Sequence, residues 1–235
     1  MKLIQKFLNF LLPPHCPICH KPILDNHAVC GECFGKLFFL GSTVCQRCGK
    51  PLPYKEVRIC GACLKKSPVY QQARSVLKYN EFSKALILPF KHADSIELTP
   101  LLVQWMDQKG KELIENCDCL IPVPLHLKRL LKRKYNQSAL LAQKLAKIHH
   151  KDYEPSVLMR RRHTESQGHM TAKQRQENVK NAFKIQNSDK IKGKKILLID
   201  DVMTTGATVS ECSKVLIKAG AESVDVLTLA RAFRD

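Results

Sequence analysis

Two adjacent carboxylates, Asp200 and Asp201, follow four apolar residues and precede a loop of small residues. The apolar run, residues 196–199, is typical of a strand that is buried on both faces of a parallel sheet. The loop, residues 204–208, begins a predicted helix that ends near Ala219. Its backbone N–H groups and the helix dipole favour a phosphate. Because paired carboxylates accept hydrogen bonds from neighbouring ribose hydroxyls, the run predicts a sugar-phosphate site at a strand end.

A plainer interpretation of this run is a strand, a turn and a helix whose acids face solvent. Thr208 would then cap the helix through its hydroxyl. We favour the sugar-phosphate interpretation, because strand, acid pair, hydroxyl-rich loop and helix occur in the required order. The predicted phosphate-binding residues are Thr204, Thr205, Gly206, Ala207 and Thr208, and the predicted catalytic, ribose-binding pair is Asp200 and Asp201.

Eight of the eleven cysteines form four Cys-x-x-Cys pairs before residue 64. The pairs are Cys16/Cys19, Cys30/Cys33, Cys45/Cys48 and Cys60/Cys63. Two such pairs complete a closed tetrahedral site for a structural Zn²⁺. The spacing favours a double zinc ribbon in which consecutive pairs share a metal, and a cross-braced pairing is the alternative. A redox role is a weaker interpretation, because redox pairs occur singly. We expect Cys117, Cys119 and Cys212 to be buried thiols.

The elements that must position these residues alternate between strands and helices. Strands are predicted over residues 73–79, 119–123, 196–199 and 224–229, and helices over residues 83–90, 98–113, 137–150 and 207–219. The alternation predicts an α/β fold with a mainly parallel sheet. Asn136 is a predicted helix cap, and residues 159–181 are polar and aperiodic, as in a mobile loop. We expect two domains, residues 1–66 with an N-terminal helix over 2–12 and the zinc module, and residues 67–235.

The chain of 235 residues carries a formal net charge of +18. Basic residues cluster at 128–134, 160–162 and 190–195. This excess of positive charge favours a polyanionic partner, and nucleic acid is the first candidate. The alternative is a basic protein whose charge only makes it soluble. Aromatic residues make up only 6% of the chain, so we expect phosphate contacts rather than base stacking.

The N-terminal stretch is apolar but short, and Asn9 interrupts it. No small-residue cleavage site follows, so we expect no signal peptide. No apolar run approaches the roughly 20 residues that span a bilayer. We therefore expect a cytoplasmic location, where Cys-x-x-Cys pairs bind metal more often than they form disulfides.

Residues 195–209, KILLIDDVMTTGATV, closely resemble the phosphoribosyl diphosphate (PRPP) motif of type I phosphoribosyltransferases. With residues 121–137, residues 158–183 and the cysteine module, the chain resembles the ComF/GntX family of competence-associated proteins along essentially its whole length. The resemblance implies a type I phosphoribosyltransferase fold preceded by a zinc ribbon. It also implies a PRPP site that uses Mg²⁺, and an association with DNA uptake in natural transformation.

The resemblance also implies roles for residues outside the acid pair and its loop. The implied diphosphate-binding residues are Val123, Pro124, Leu125, His126, Arg129 and Arg133. The implied residues of a flexible loop that closes over the ligand are Arg160, Arg162, Thr164, Gln167, Arg175 and Asn178, for which a solvated basic loop is the alternative. Lys91 is a further diphosphate candidate, and Lys134 stands where the family usually has glycine.

Two functional hypotheses follow from this resemblance. In the first, the protein is a phosphoribosyltransferase that transfers the phosphoribosyl group of PRPP to an unidentified acceptor. In the second, PRPP and Mg²⁺ occupy a ligand site, while the basic surface contacts incoming single-stranded DNA beside a helicase or other DNA-uptake partner. We favour a DNA-uptake factor with a working PRPP site. A pure zinc scaffold would leave Asp200 and Asp201 unexplained.

Overall fold

Strands and helices alternate along the chain in the structure, a computed structural model that describes residues 13–25, 28–91, 96–162 and 171–233. The strands are β1 (Ala73–Lys78), β2 (Cys119–Pro122), β3 (Asp152–Tyr153), β4 (Leu158–Arg160), β5 (Phe183–Ile185), β6 (Lys195–Met203) and β7 (Ser223–Arg231). The helices are α1 (Gly31–Lys36), α2 (Gly61–Lys65), α3 (Glu81–Lys91), α4 (Thr99–Asn116), α5 (Leu127–Arg133), α6 (Gln137–His149), α7 (Ala172–Val179) and α8 (Ala207–Lys218). The predicted helix over residues 2–12 lies outside the described residues.

Five strands form one parallel sheet in the order β1-β7-β6-β2-β3. Strand β6 lies at its centre, where Leu198 pairs with Ile121 of β2 and Val226 of β7. Residues 196–199 are all buried, because helices cover both faces of the sheet. The predicted α/β fold with a mainly parallel sheet is confirmed. A separate two-stranded antiparallel pair is formed by β4 and β5.

Alternate side chains of β6 enter two different cores. Leu197 and Ile199 pack with buried side chains of α3, α4 and α6. Ile196 and Leu198 pack on the opposite face with buried side chains of α8. On the first face, a Cβ atom at Gly110 of α4 would lie only 2.3 Å from the Cδ2 atom of Leu227, so glycine permits this close helix–sheet approach. None of the described helices has both the length and the apolar character to span a membrane.

The cysteine module lies against the outer edge of β1. Phe39 pairs with Leu77 in an antiparallel bridge. The N–H of Leu40 donates to the Val76 carbonyl at 2.8 Å, and the N–H of Lys78 donates to the Phe38 carbonyl at 2.8 Å. The predicted edge strand is therefore at the edge of the sheet, and the module covers its open backbone groups.

Two predicted boundaries are wrong. Strand β6 does not end before the acid pair: it continues to Met203, which pairs with Arg231 of a longer β7. Asp200 and Asp201 are therefore strand residues. The apolar run alone underestimates the strand, because two acids follow the run before the strand ends with Val202 and Met203, which pair with Ala230 and Arg231.

The predicted loop over residues 159–181 is also partly wrong, because it contains the end of β4 and the whole of α7. Thr171 and Gln174 form a capping box at the start of α7. The N–H of Thr171 donates to Gln174 Oε1 at 2.8 Å, and the N–H of Gln174 donates to Thr171 Oγ1 at 3.3 Å. This reciprocal cap explains why a strongly polar segment begins a helix here.

Candidate functional site

The carboxylates of Asp200 and Asp201 are half-buried near the end of β6, and a different helix contacts each of them. Ser138, in the first turn of α6, donates its hydroxyl to Asp200 Oδ1 at 3.1 Å. The N–H of Asp201 donates to the same oxygen at 2.9 Å. Lys91 Nζ, at the end of α3, lies 3.2 Å from Asp201 Oδ2. The fold thus supplies Asp200 with neutral donors and Asp201 with a cation.

Burial, and then the adjacent charge of Asp201, raise the pKa of the Asp200 carboxyl to about 7. The Asp201 N–H, Lys91 and Ser138 act in the opposite direction, because they stabilise the carboxylate. Asp200 is therefore only partly ionised near neutral pH. A ligand that brings hydroxyl donors or positive charge to its oxygens favours release of its proton.

The loop of residues 204–208, which the sequence predicts to bind phosphate and which we call the phosphate loop, joins the end of β6 to the start of α8. Gly206 is the N-cap of α8 and has φ +77°, a left-handed conformation in which a side chain is strained. Thr205 Oγ1 accepts a weak hydrogen bond from the Ala207 N–H at 3.4 Å. A water-sized cavity of about 20 Å³ is lined by Asp200, Val202, Met203, Thr204, Gly206, Ala207, Thr208 and Val209. The loop therefore has the backbone and helix-terminus geometry that suits a phosphate. The alternative cap by Thr208 is wrong, because Gly206 holds the cap position without a side-chain bond.

The loop of residues 123–126, which the resemblance implies binds diphosphate and which we call the diphosphate loop, follows β2 at the same edge of the sheet. The N–H of Val123 donates to the Ile199 carbonyl at 2.9 Å, one residue before the acid pair. His126 is the N-cap of α5, and its Nδ1 accepts from the Lys128 N–H at 3.2 Å. The loop therefore lies beside the carboxylates, although the two segments are far apart in sequence.

Residues at the start of α6 hold both the diphosphate loop and the end of α3. Asn136 donates its side-chain N–H to the Val123 carbonyl at 3.1 Å and accepts from the Ser138 N–H at 3.1 Å. The predicted capping role of Asn136 is thus confirmed. Gln137 donates to the Lys91 carbonyl at 2.7 Å, which fixes the end of α3 next to the acid pair. Tyr135 donates its hydroxyl to the carbonyl of Phe90.

Two arginines of the implied ligand-binding set, Arg129 and Arg160, influence each other's charge, and Arg160 also interacts electrostatically with Asp200. Burial lowers the pKa of Arg160, and the charge of Arg129 lowers it further, while Asp200 acts in the opposite direction. Burial also lowers the pKa of Arg129, with Arg133 adding to the effect. This cluster of cations fits an anionic ligand beside Asp200.

The structure places only some residues of the implied flexible loop near the acid pair. Arg162 donates to the carbonyls of Glu177 and Asn178 at 3.2 and 2.8 Å, at the carboxyl end of α7. Arg175 lies within α7. Thr164 and Gln167 lie outside the described residues. In this conformation Arg162 therefore stabilises a helix end rather than facing the carboxylates.

The eight paired cysteines form two clusters. The first cluster is Cys16, Cys19, Cys30 and Cys33, and the second cluster is Cys45, Cys48, Cys60 and Cys63. Within each cluster the sulfurs all lie within 4.8 Å of one another. The Sγ atoms of Cys19 and Cys30 are 3.6 Å apart, and those of Cys48 and Cys60 are 3.7 Å apart. Because a tetrahedral zinc site with Zn–S distances of about 2.3 Å separates its sulfurs by about 3.8 Å, both clusters fit Zn²⁺. The consecutive pairing is confirmed, and the cross-braced alternative is wrong.

Thiol ionisation also fits metal binding. Burial disfavours the thiolate of Cys16, but backbone N–H groups of Cys19, Cys30 and Ile18 outweigh it and lower the pKa to about 6. The pKa of Cys45 is likewise lowered to about 7, against the effect of burial, by backbone N–H groups of Cys48 and Cys60 among others. Cys16 and Cys45 therefore lose their protons more readily than an ordinary cysteine, which favours metal binding in each cluster. The three remaining cysteines, Cys117, Cys119 and Cys212, are buried as predicted.

Three contributors to this region were not predicted from the sequence. Ser138 contacts Asp200, while Tyr70 and Arg231 lie beside the phosphate loop and the second cluster. None of the three belongs to a local motif with a recognisable spacing. Their positions depend on how three parts come together: α6, β7 and the segment of residues 45–70 that carries the second cluster, which we call the second ribbon.

Two family descriptions match separate parts of the chain. The Double zinc ribbon domain matches residues 7–64, and the Phosphoribosyl transferase domain matches residues 135–234. These matches agree with the two Cys₄ clusters and with the parallel sheet that carries the acid pair. The molecule is thus a phosphoribosyltransferase-type α/β protein with a double zinc ribbon.

Relatives match over nearly the whole chain. DNA utilization protein YhgH of Escherichia coli O157:H7 is 31% identical over 226 residues, which cover 94% of this chain and 98% of that protein. Competence protein F of Haemophilus influenzae is 34% identical over 236 residues, which cover 97% and 100%. Competence protein ComFC of Bacillus subtilis is 29% identical over 215 residues, which cover 88% and 85%. The chain belongs to this family of competence protein F and YhgH.

The raised pKa of Asp200 gives a direct test of the site's electrostatics. We expect one aspartate, Asp200, to titrate near pH 7 in ¹³C carboxyl NMR spectra. Asp201→Asn removes the like charge and shifts this titration to lower pH, whereas Lys91→Met shifts it to higher pH. An aspartate spectrum with no group titrating within about one unit of pH 7 would contradict this arrangement.

The raised pKa of Asp200 also makes the stability of the fold depend on pH. Because the pKa of Asp200 in the folded protein exceeds the ordinary value of 3.8, the folded chain binds more protons than the unfolded chain between about pH 4 and pH 7. Asp200 therefore makes the fold less stable as pH rises through this window, and its effect is constant above it. Thermal denaturation of the wild type and of Asp201→Asn across the window measures this difference.

Proposed function

We propose that this protein binds PRPP with Mg²⁺ at the carboxyl edge of its sheet and acts, as a competence-associated phosphoribosyltransferase-like protein, in DNA uptake. The observation that carries the proposal is the convergence of three segments. The acid pair, the phosphate loop and the diphosphate loop meet at the ends of β2 and β6, where Val123 bonds to Ile199. The family, whose members are named for competence and DNA utilization, supports the wider role.

In this proposal each part of PRPP has a separate partner. The ribose hydroxyls donate to Asp200 and Asp201, and the 5′-phosphate accepts from the backbone N–H groups of residues 204–208. The diphosphate lies against residues 123–126, with Arg129, Arg133 and Arg160 as the cations nearest to it. Lys91 is shared between Asp201 and the diphosphate, because its ammonium already lies 3.2 Å from Asp201 Oδ2.

Ionisation of Asp200 is part of binding in this account. Only the carboxylate accepts hydrogen bonds at both oxygens, so the proton held near pH 7 leaves as the ribose hydroxyls arrive. The oxygen donors of the acid pair and of the phosphates suit Mg²⁺, which would neutralise charge on the leaving diphosphate. The protein's own part in transfer is to orient the ribose, to balance the diphosphate charge and to exclude water.

Transfer to an acceptor is the alternative activity, and one observation favours it. A groove of about 600 Å³ lies between the second ribbon, α7 and α8, and Thr205 and Ala207 form one of its borders. Its walls combine apolar side chains such as Val69 and Val179 with the cations Lys66 and Lys214. A ligand of nucleotide size would fit such a groove beside the phosphate loop. The acceptor itself is unidentified.

Calorimetric titration with PRPP and Mg²⁺ tests the proposal. The wild type is compared with Asp200→Asn/Asp201→Asn and with a control, Asp152→Asn/Glu154→Gln, whose carboxylates pair with Lys194 and Lys190 elsewhere. Both double variants lose two negative charges. We expect the wild type and the control to bind alike, and the site variant to bind at least about 100-fold more weakly, because two charge-assisted hydrogen-bond acceptors are lost.

Two results would contradict the proposal. A folded, zinc-loaded wild type that does not bind PRPP shows that the site has another ligand. Equal binding by the wild type and the site variant places PRPP elsewhere on the protein.

We propose, in addition, that the basic surface contacts single-stranded DNA, within the cytoplasm and beside a helicase or other DNA-uptake partner. The net charge of +18 supports this, as does the exposure of Lys128 and Lys134 at the two ends of the basic helix α5. Aromatic residues make up only 6% of the chain, so phosphate contacts dominate over base stacking in this proposal.

Binding of a fluorescent oligothymidine at increasing salt tests the DNA contact. If at least three phosphates are contacted, the plot of log K against log salt has a slope of about −2 or steeper. Lys128→Gln/Lys134→Gln should weaken binding and flatten the slope, whereas Lys111→Gln/Lys147→Gln, which removes two exposed cations from α4 and α6, should change neither. Undetectable or salt-insensitive binding would refute the proposal. Equal losses in the two variants would show that α5 is not the contact surface.

A further inference from the structure

Arg231, the last residue of β7, is a buried cation between the second cluster and the phosphate loop. Only 8% of its surface is exposed. Its Nη1 donates to the carbonyl of Cys48 and lies 3.7 Å from Met203 Sδ, in the residue that precedes the loop. Arg231, Cys48, Cys63, Tyr70 and Thr205 also line the same groove. One guanidinium thus contacts both a metal-ligand segment and the stem of the phosphate loop.

The charge of Arg231 needs a counter-charge inside the protein. Among ion pairs formed by the described residues, none includes Arg231. Four thiolates around one Zn²⁺ carry a net charge of −2, so the second cluster, when it holds zinc, supplies the missing negative charge. Without the metal, coordination no longer holds the Cys48 segment, so the carbonyl that accepts from Arg231 is free to shift. A buried cation that loses its acceptor is costly, so loss of the metal displaces Arg231 or admits water.

The phosphate loop is fixed by the same neighbours. The Ala232 N–H donates to the Met203 carbonyl at 2.9 Å, directly after Arg231. A Cβ atom at Gly206 would lie 3.5 Å from the hydroxyl oxygen of Tyr70 and 3.7 Å from Met203 Sδ. Tyr70 is itself buried, and it belongs to the groove wall formed by the second ribbon. Movement of Arg231 therefore changes the packing of Met203 and Tyr70 against Gly206.

We propose that Arg231 is a positioning residue that couples metal occupancy of the second cluster to phosphate binding by residues 204–208. Loss of zinc from the second cluster loosens the phosphate loop, whereas loss from the first cluster leaves it in place. By thermodynamic reciprocity, a ligand bound at the loop slows the release of zinc from the second cluster. This inference rests on the proposed PRPP site.

The first experiment uses the wild-type protein. Zinc release to a colorimetric chelator is followed with Mg²⁺ alone and with Mg²⁺ plus saturating PRPP. We expect two zinc equivalents, one of which is released more slowly with PRPP, while the rate of the other is unchanged. A Cys33→Ser protein, which retains only the second cluster, identifies the protected metal. PRPP-independent release of both equivalents from a wild type that binds PRPP overturns the coupling and leaves the proposed function intact.

The second experiment changes the positioning residue. Arg231→Met keeps most of the side-chain volume but removes the charge. We expect PRPP affinity to fall about tenfold, within the range of typical coupling between sites, and zinc to leave the second cluster faster. Arg231→Lys keeps the charge and should restore part of both properties. Arg58→Met, at an exposed arginine of the same ribbon, is the matched control and should change neither.

The outcomes separate the two proposals. If the zinc-loaded wild type does not bind PRPP, the proposed function fails and the coupling fails with it. If the wild type binds and Arg231→Met matches it in PRPP affinity and zinc release, only the coupling is refuted. A merely structural role for Arg231 would lower thermal stability without making zinc release depend on PRPP.

Discussion

Parallel pairing of β2 with β6 is the constraint on which the rest of the site depends. The pairing sets Ile121 beside Leu198 and brings the Val123 N–H to the Ile199 carbonyl. Because parallel strands end at the same edge, the diphosphate loop and the acid pair become neighbours there. A shift of one residue in this register would turn Asp200 to the other face of the sheet and separate it from Ser138. The buried side chains of residues 196–199 specify the register. They therefore also determine which side chains lie together at the carboxyl edge of the sheet.

Two adjacent carboxylates in partly buried positions lower the stability of this edge of the sheet. The surrounding groups stabilise the two carboxylates unequally. Asp201 has Lys91 as a counter-ion, whereas Asp200 receives only a hydroxyl and a backbone N–H. Burial, and then the adjacent charge of Asp201, therefore keep Asp200 partly protonated near pH 7. Such an arrangement favours a ligand that provides both hydroxyl donors and positive charge. It also explains why Ser138, which lies outside every motif, matters to the site.

Local chemistry could be predicted from the sequence, and long-range packing could not. The acid pair, the phosphate loop and the Cys-x-x-Cys pairs each have a fixed spacing, so the two Cys₄ clusters and the parallel α/β fold were predicted correctly. Hydrophobic periodicity does not predict α7, because the segment is strongly polar, and only the capping-box spacing of Thr171 and Gln174 indicates a helix there. Arg231 was not predictable, because its role depends on the second ribbon packing against β7 rather than on its neighbours in sequence. The division of the chain at residue 66 and the individual site residues stay predictions.

The second ribbon contacts both the edge of the sheet and the phosphate loop. The functional roles proposed for these contacts depend on a ligand that binds at the ends of β2 and β6. A crystal structure of the zinc-loaded protein with PRPP and Mg²⁺ tests that assumption most directly. The account predicts the 5′-phosphate against the backbone N–H groups of residues 204–208, with the ribose hydroxyls within hydrogen-bond distance of Asp200 and Asp201. PRPP bound away from this edge, or with its ribose out of reach of both carboxylates, would contradict the account.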